Sequence, residues 1–117
     1  MKLKMKMPEP LESEIQSAVC QYLEMRGHFF WRQNSAGIQR TGKDGRQFWA
    51  TNKYSIKGVG DIICFDKTGT GIAIFLEIKR PSGKMSEEQK EFQRRCELVG
   101  CEYYVIRRIE DLQEVGL

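Results

Sequence analysis

Apolar residues along this chain change their spacing from element to element. From Ile15 they recur at Ala18, Val19, Tyr22 and Leu23, the three-and-four rhythm of a helix with one apolar stripe, and Gly27 stops the pattern. Ser13 with Gln16 three residues on reads as a capping box opening that helix, and Glu14 borders the stripe. His28 to Gln33 is aromatic and strand-like. Asp61–Asp66 and Ile72–Lys79 are two apolar runs joined by Lys67-Thr68-Gly69-Thr70-Gly71, the pattern of a β-hairpin. Their almost continuous hydrophobicity predicts strands covered on both faces.

After Pro81-Ser82-Gly83, the string Ser86-Glu87-Glu88-Gln89 reads as a second capping box, with an inner helical face of Gln89, Phe92, Cys96 and Val99 before Gly100. Glu102–Ile106 is a further strand and Ile109–Val115 a short last helix. The order contains a strand–helix–strand unit, so the expected fold is α/β, a central mixed β-sheet flanked by α-helices. Between the first strand and the hairpin, residues 34–58 are rich in Gly, Asn, Thr and Lys. They predict a long functional loop or a hairpin with irregular ends.

Length changes this picture little: 117 residues, 40% hydrophobic and 30% charged, fit one domain over 12–117 behind a loose arm, 1–11, that holds Pro8 and Pro10. No apolar run is long enough to span a bilayer, and MKLKMKM alternates charge with apolar residues rather than building a signal-peptide core. The expectation is a soluble, intracellular protein without a membrane partner. Cys20, Cys64, Cys96 and Cys101 form no C-x-x-C pair and His28 is the single histidine, so core packing in a reducing compartment is expected of the thiols rather than zinc.

Charge distribution adds a partner class. Net charge is +3, yet residues 32–58 carry +5, with Arg32, Arg40, Lys43, Arg46, Lys53 and Lys57 against Asp44. Such a stretch suits a polyanion, or is a solvated loop kept soluble by its charges. As a DNA grip, Asn34, Ser35, Arg40, Lys43, Arg46, Lys53 and Lys57 would hold phosphates, and Trp49 or Tyr54 would stack on exposed bases. Trp31 and Phe48 are expected to be core or dimer contacts, and His28 a strand residue without catalytic duty.

The candidate chemistry lies in the hairpin. Ile72, Ile74, Leu76 and Ile78 share one strand face, so Glu77 and Lys79 project side by side from the other. Asp61 opens the partner strand, and a tight hairpin brings its carboxylate beside that of Glu77. Adjacent carboxylates repel unless a cation sits between them, and oxygen-only ligands suit Mg²⁺ or Mn²⁺. Lys79 is then placed to orient the attacking water. Glu88-Gln89-Lys90 repeats the E-x-K spacing, but in the charged first turn of a helix, where solvent exposure is expected.

Gly60-Asp61, fifteen residues, then Glu77-Ile78-Lys79 resembles the PD-(D/E)XK signature of restriction-type and repair nucleases, with Gly in place of the usual Pro. More narrowly the chain is similar to the VRR-NUC (virus-type replication-repair nuclease) family. The matching pieces are Glu14 with Gln16, Lys57-Gly58-Val59-Gly60-Asp61, Glu77-Ile78-Lys79-Arg80-Pro81, Gly83 to Gln89, and Gly100 before a strand. The resemblance implies a restriction-endonuclease-like core, with Asp61, Glu77 and the Ile78 carbonyl as metal ligands. It further implies Glu14 acting through water or on a second ion, Lys79 positioning the nucleophile and Gln89 reaching the site from the second helix.

Glu14 and Gln89 also have plain structural readings, as a first-turn acid that suits the helix dipole and as the third residue of a capping box. The activity implied is hydrolysis of branched DNA, Holliday-junction-like, by a homodimer of phage or prophage type. A non-catalytic DNA-junction or DNA-end binding module with the same fold is the alternative, and a sequence-specific restriction enzyme is a rival the short chain has little room to encode.

Overall fold

The structure, a computed structural model, describes residues 8–33, 38–50, 54 and 56–117. Helix α1 is Glu12–Met25, strand β1 Phe30–Arg32, β2 Ile38–Thr41, β3 Gln47–Ala50, β4 Ile62–Phe65, β5 Ala73–Ile78, helix α2 Glu87–Leu98, strand β6 Glu102–Ile106 and helix α3 Ile109–Glu114. The main sheet has the order β1-β4-β5-β6, antiparallel except for the parallel pair β5–β6, for which α2 is the crossover. β2 and β3 form a separate antiparallel hairpin inside the basic segment.

Two apolar layers hold the sheet between helices. On one face Ile62, Cys64, Ile74, Leu76, Ile78 and Ile106 pack with Ile15, Val19 and Leu23 of α1 and Leu112 of α3. On the other, Phe92 and Cys96 of α2 close over Tyr103, with Phe75, Val59 and Met85 at the margin. The alternation along β5 divides its side chains between these layers, Ile74, Leu76 and Ile78 to the first and Phe75 to the second. No helix among the described residues is long and apolar enough to cross a membrane.

Several local expectations shift. α1 begins at Glu12 with Leu11 as N-cap and no side-chain cap, so Ser13 lies inside the helix and its capping box does not form. The buried stripe is Ile15, Val19 and Leu23, with Ala18 exposed, so the helix is turned slightly from the expected face. His28 precedes β1 and is buried, its Nε2 3.2 Å from the Leu117 carbonyl, which also accepts from Arg26 Nε at 2.7 Å. Trp31 is 41% exposed and so is no core residue.

α2 opens with the full capping box at Ser86, but Val99 is its C-cap and points outward, because the helix ends a residue before it. The arm is tied down at Glu9, whose carboxylate accepts from Ser82 Oγ at 2.7 Å and lies 3.5 Å from Arg80. In the turn between β4 and β5, Asp66 accepts from the Thr68 amide at 2.9 Å and from the hydroxyls of Thr68 and Thr70 at 2.7 and 3.1 Å. These local bonds fix the hairpin that carries the candidate chemistry.

Candidate active site

Register places the two carboxylates. Ile62 pairs with Leu76, so one step further along the hairpin Asp61 stands opposite Glu77. Asp61 Oδ2 accepts the Ile78 amide at 2.7 Å, and its carbonyl accepts the Gln33 amide at 2.8 Å, so the residue is clamped from both neighbouring strands. Gly60, just before it, lies so close to β5 that a Cβ would come within 2.8 Å of the Leu76 carbonyl oxygen. A side chain there would hold the two strands apart, which accounts for glycine next to Asp61.

Glu77 is 4% exposed. Its Oε1 accepts from Gln89 Nε2 at 2.7 Å and lies 3.7 Å from Lys79 Nζ. Burial pushes the Glu77 carboxyl up to about 8, with the Asp61 charge adding to the rise and the Lys79 ammonium opposing it. Glu12 adds a weaker negative charge. The Lys79 backbone is anchored in turn, its amide donating to the Ile106 carbonyl at 3.0 Å.

Gln89 answers both readings of it at once. Its Oε1 accepts the Ser86 amide at 2.9 Å and its own amide donates to Ser86 Oγ at 3.2 Å, which completes the capping box, while Nε2 reaches Glu77. One side chain therefore caps α2 and locks the helix to the site. Gly58 allows the approach: at φ +83°, a Cβ on it would sit 2.4 Å from the Glu88 carbonyl oxygen. Behind β5, Arg107 donates to the carbonyls of Arg80, Pro81 and Gly83 at 2.6, 3.2 and 2.7 Å, fixing the turn that follows Lys79.

Asp61, Glu77, Ile78, Lys79 and Gln89 are thus gathered in one place. Glu14 is exposed on α1, and the helical acid whose charge reaches Glu77 is Glu12. A signal for Glu12 exists in the sequence, since it falls three residues before Ile15 and seven before Val19, on the stripe that is buried. Tyr103, also unforeseen, has its hydroxyl buried without a hydrogen-bond partner among the described residues, and after burial the charges of Glu77 and Asp61 are the main influences that raise its pKa.

Of the basic segment, Lys43 and Arg46 are exposed at the turn between β2 and β3, Arg46 lying 3.7 Å from Asp44. Lys57 lines a shallow groove with Glu87 and Glu88 at the start of α2. Asn34, Ser35 and Lys53, and the side chains of Arg40, Phe48 and Trp49, lie outside the described residues. Glu88 and Lys90 of the second E-x-K are exposed, Lys90 pairing with Glu87 at 3.3 Å.

No family model matches the chain, and no curated protein sequence matches it. Among solved structures, one described as a VRR_NUC domain superposes with a TM-score of 0.59 at 16% identity, over 89% of this chain and 91% of that one. At that identity the likeness is one of fold: the chain shares with that VRR_NUC domain a restriction-endonuclease-like α/β architecture.

Proposed function

We propose that the chain is a nuclease that hydrolyses phosphodiester bonds in branched DNA, acts as a homodimer and depends on Mg²⁺ or Mn²⁺ held between Asp61 and Glu77. The observation that carries this reading is the carboxylate pair itself, Asp61 opposite a buried Glu77 whose Oε1 is met by Gln89 and lies 3.7 Å from Lys79. Ionising Glu77 in that setting costs several kcal/mol, roughly, unless an opposite charge replaces the proton. The structural neighbour, described as a VRR_NUC domain, supports the same reading.

The donor set suits the ion. Among the described residues no three His, Cys, Asp or Glu side chains converge on one point, which disfavours a closed protein cage. Mg²⁺ and Mn²⁺ need none, since one or two carboxylates with water and a phosphate oxygen complete their coordination. When bound, the ion supplies Lewis-acid stabilisation of the phosphoryl group and lowers the pKa of the attacking water.

The rest belongs to the chain's own residues. The Ile78 amide orients Asp61, Gln89 orients Glu77, and Lys79, 3.7 Å from Glu77, holds and helps deprotonate the nucleophile. The Ile78 carbonyl is a further ligand in this reading, and Glu14 acts through water. Lys43, Arg46, Lys57 and their neighbours grip the phosphates.

Labelled four-way junction, flap, nicked and linear DNA incubated with each ion tests the reading. Wild type should cut the branched forms, and Lys79→Ala should lose about a hundredfold or more in rate while still binding. If wild type binds every form and cuts none with either ion, the enzyme reading gives way to a non-catalytic binding module.

A further inference from the structure

We propose that Phe29, Trp31 and Phe65 form a stacking platform for unpaired nucleobases of the strand being cut. The inference rests on the nuclease reading and adds what the site recognises. It starts from the sheet register. Trp31 pairs with Ile63, and the Gln33 amide continues that ladder to the Asp61 carbonyl. Alternation then puts Phe29, Trp31 and Gln33 of one strand on the same face as Phe65, Ile63 and Asp61 of the next. That is the face from which Glu77 projects. From Ile63 to Asp61 is two residues, about 7 Å.

α2 covers only the other half of this face. Phe92 meets Phe75 at 5.0 Å and Tyr103 at 5.9 Å between ring centres, and none of Phe29, Trp31, Ile63 and Phe65 belongs to either apolar cluster. The three rings pack on one another instead. Phe29 stacks on Phe65 at 5.5 Å with 30° between planes, and Trp31 leans on both, at 5.8 and 5.7 Å. The indole N–H is engaged by Gln33 Oε1 at 3.3 Å, so the surface Trp31 offers is apolar ring. Phe29 is 70% exposed.

The size of the patch selects its occupant. Full burial of an aromatic side chain covers about 150–250 Å², so the exposed parts of Phe29 and Trp31 amount to roughly 250 Å². A stable dimer needs about 800 Å² from each partner. One or two bases fit the smaller figure, and only unpaired bases can turn their faces to a platform. Charge agrees, since Lys67 follows Phe65 by two residues at the Phe29–Phe65 end, its Nζ donating to the Arg26 carbonyl.

The test uses the full chain as Lys79→Ala with Trp49→Phe, which leaves Trp31 as the single tryptophan of the two in the sequence. Its fluorescence is titrated with oligothymidine, with an abasic strand of equal charge and with duplex. Quenching by oligothymidine and none by the abasic strand is expected. Trp31→Ala should lose about tenfold more affinity for oligothymidine than for duplex. Phe29→Ala repeats the comparison should circular dichroism show Trp31→Ala misfolded.

Equal quenching by the abasic strand, or equal losses on both substrates, overturns the platform. A shift from dimer to monomer in Trp31→Ala, with no dependence on bases, reassigns the patch to self-association and overturns it likewise. Because fluorescence is read without cleavage, base-dependent quenching in a protein whose wild type cuts no DNA would sink the nuclease reading alone. Cleavage without base dependence would sink the platform alone.

Discussion

Burial and the adjacent Asp61 carboxylate hold the Glu77 carboxyl at about 8 against an ordinary 4.5, so the metal-free folded chain keeps a proton that the unfolded chain has released over that window. Stability falls with rising pH wherever the folded state binds more protons. Between about pH 5 and pH 8 Glu77 should therefore remove a few kcal/mol, roughly, and nothing more at higher pH. Denaturant titration of metal-free protein across that range checks this: Glu77→Gln should flatten most of the decline, and an equally steep decline in the variant refutes it. Tyr103 makes a second case at the same scale. Its buried hydroxyl has no partner among the described residues. Tyr103→Phe should raise stability by about 1 kcal/mol in thermal melts, because a desolvated hydroxyl is removed and no hydrogen bond is lost; a lower melting temperature would mean that the hydroxyl is satisfied in solution.

Between elements, the loop 56–60 is the spacer that sets where α2 sits over β5. Gly58 has both a positive φ and a backbone oxygen 2.4 Å from any Cβ. Gly58→Ala should cost about 1–2 kcal/mol for the left-handed conformation alone, and more for the displaced helix. Since α2 carries Gln89 to Glu77, cleavage should fall further than melting predicts, and a variant with lowered melting temperature but unchanged rate would break that link. What the sequence discloses about these elements follows the range of the physics. The α2 capping box and the β4–β5 hairpin were legible because each is written in neighbours a few residues apart, and the hairpin's pairing in turn brings Asp61 opposite Glu77 and its neighbour Lys79. The influence of Glu12 on Glu77 was not legible, because α1 starts at Glu12 without the Ser13 cap and is turned from the face that Ala18 suggested. The exposure of Trp31 was not legible, since it depends on which half of the sheet α2 covers, a matter of packing between residues some sixty apart in the chain.

At the scale of the molecule, one carboxylate pair lies at the end of a sheet face that α2 covers over β5 and β6, and on which, among the described residues, Phe29 and Trp31 beside β4 stay exposed. In the proposed reading one such site would cut one strand, so paired incisions across a branch would call for two copies related by a twofold axis. The aromatic platform is too small to join them, so the proposed dimer would draw on other surface. Leu98 and Val99 offer apolar area at the end of α2, on the flank away from β1, where both are exposed. Sedimentation at micromolar concentration should give twice 13.6 kDa, and Leu98→Glu should return the chain toward 13.6 kDa while Trp31→Ala should not. A 13.6 kDa species that persists with junction DNA bound would remove the dimer from the proposal. A dimer lost through Trp31→Ala instead would place its interface on the open face, where it would compete directly with unpaired bases for the same rings.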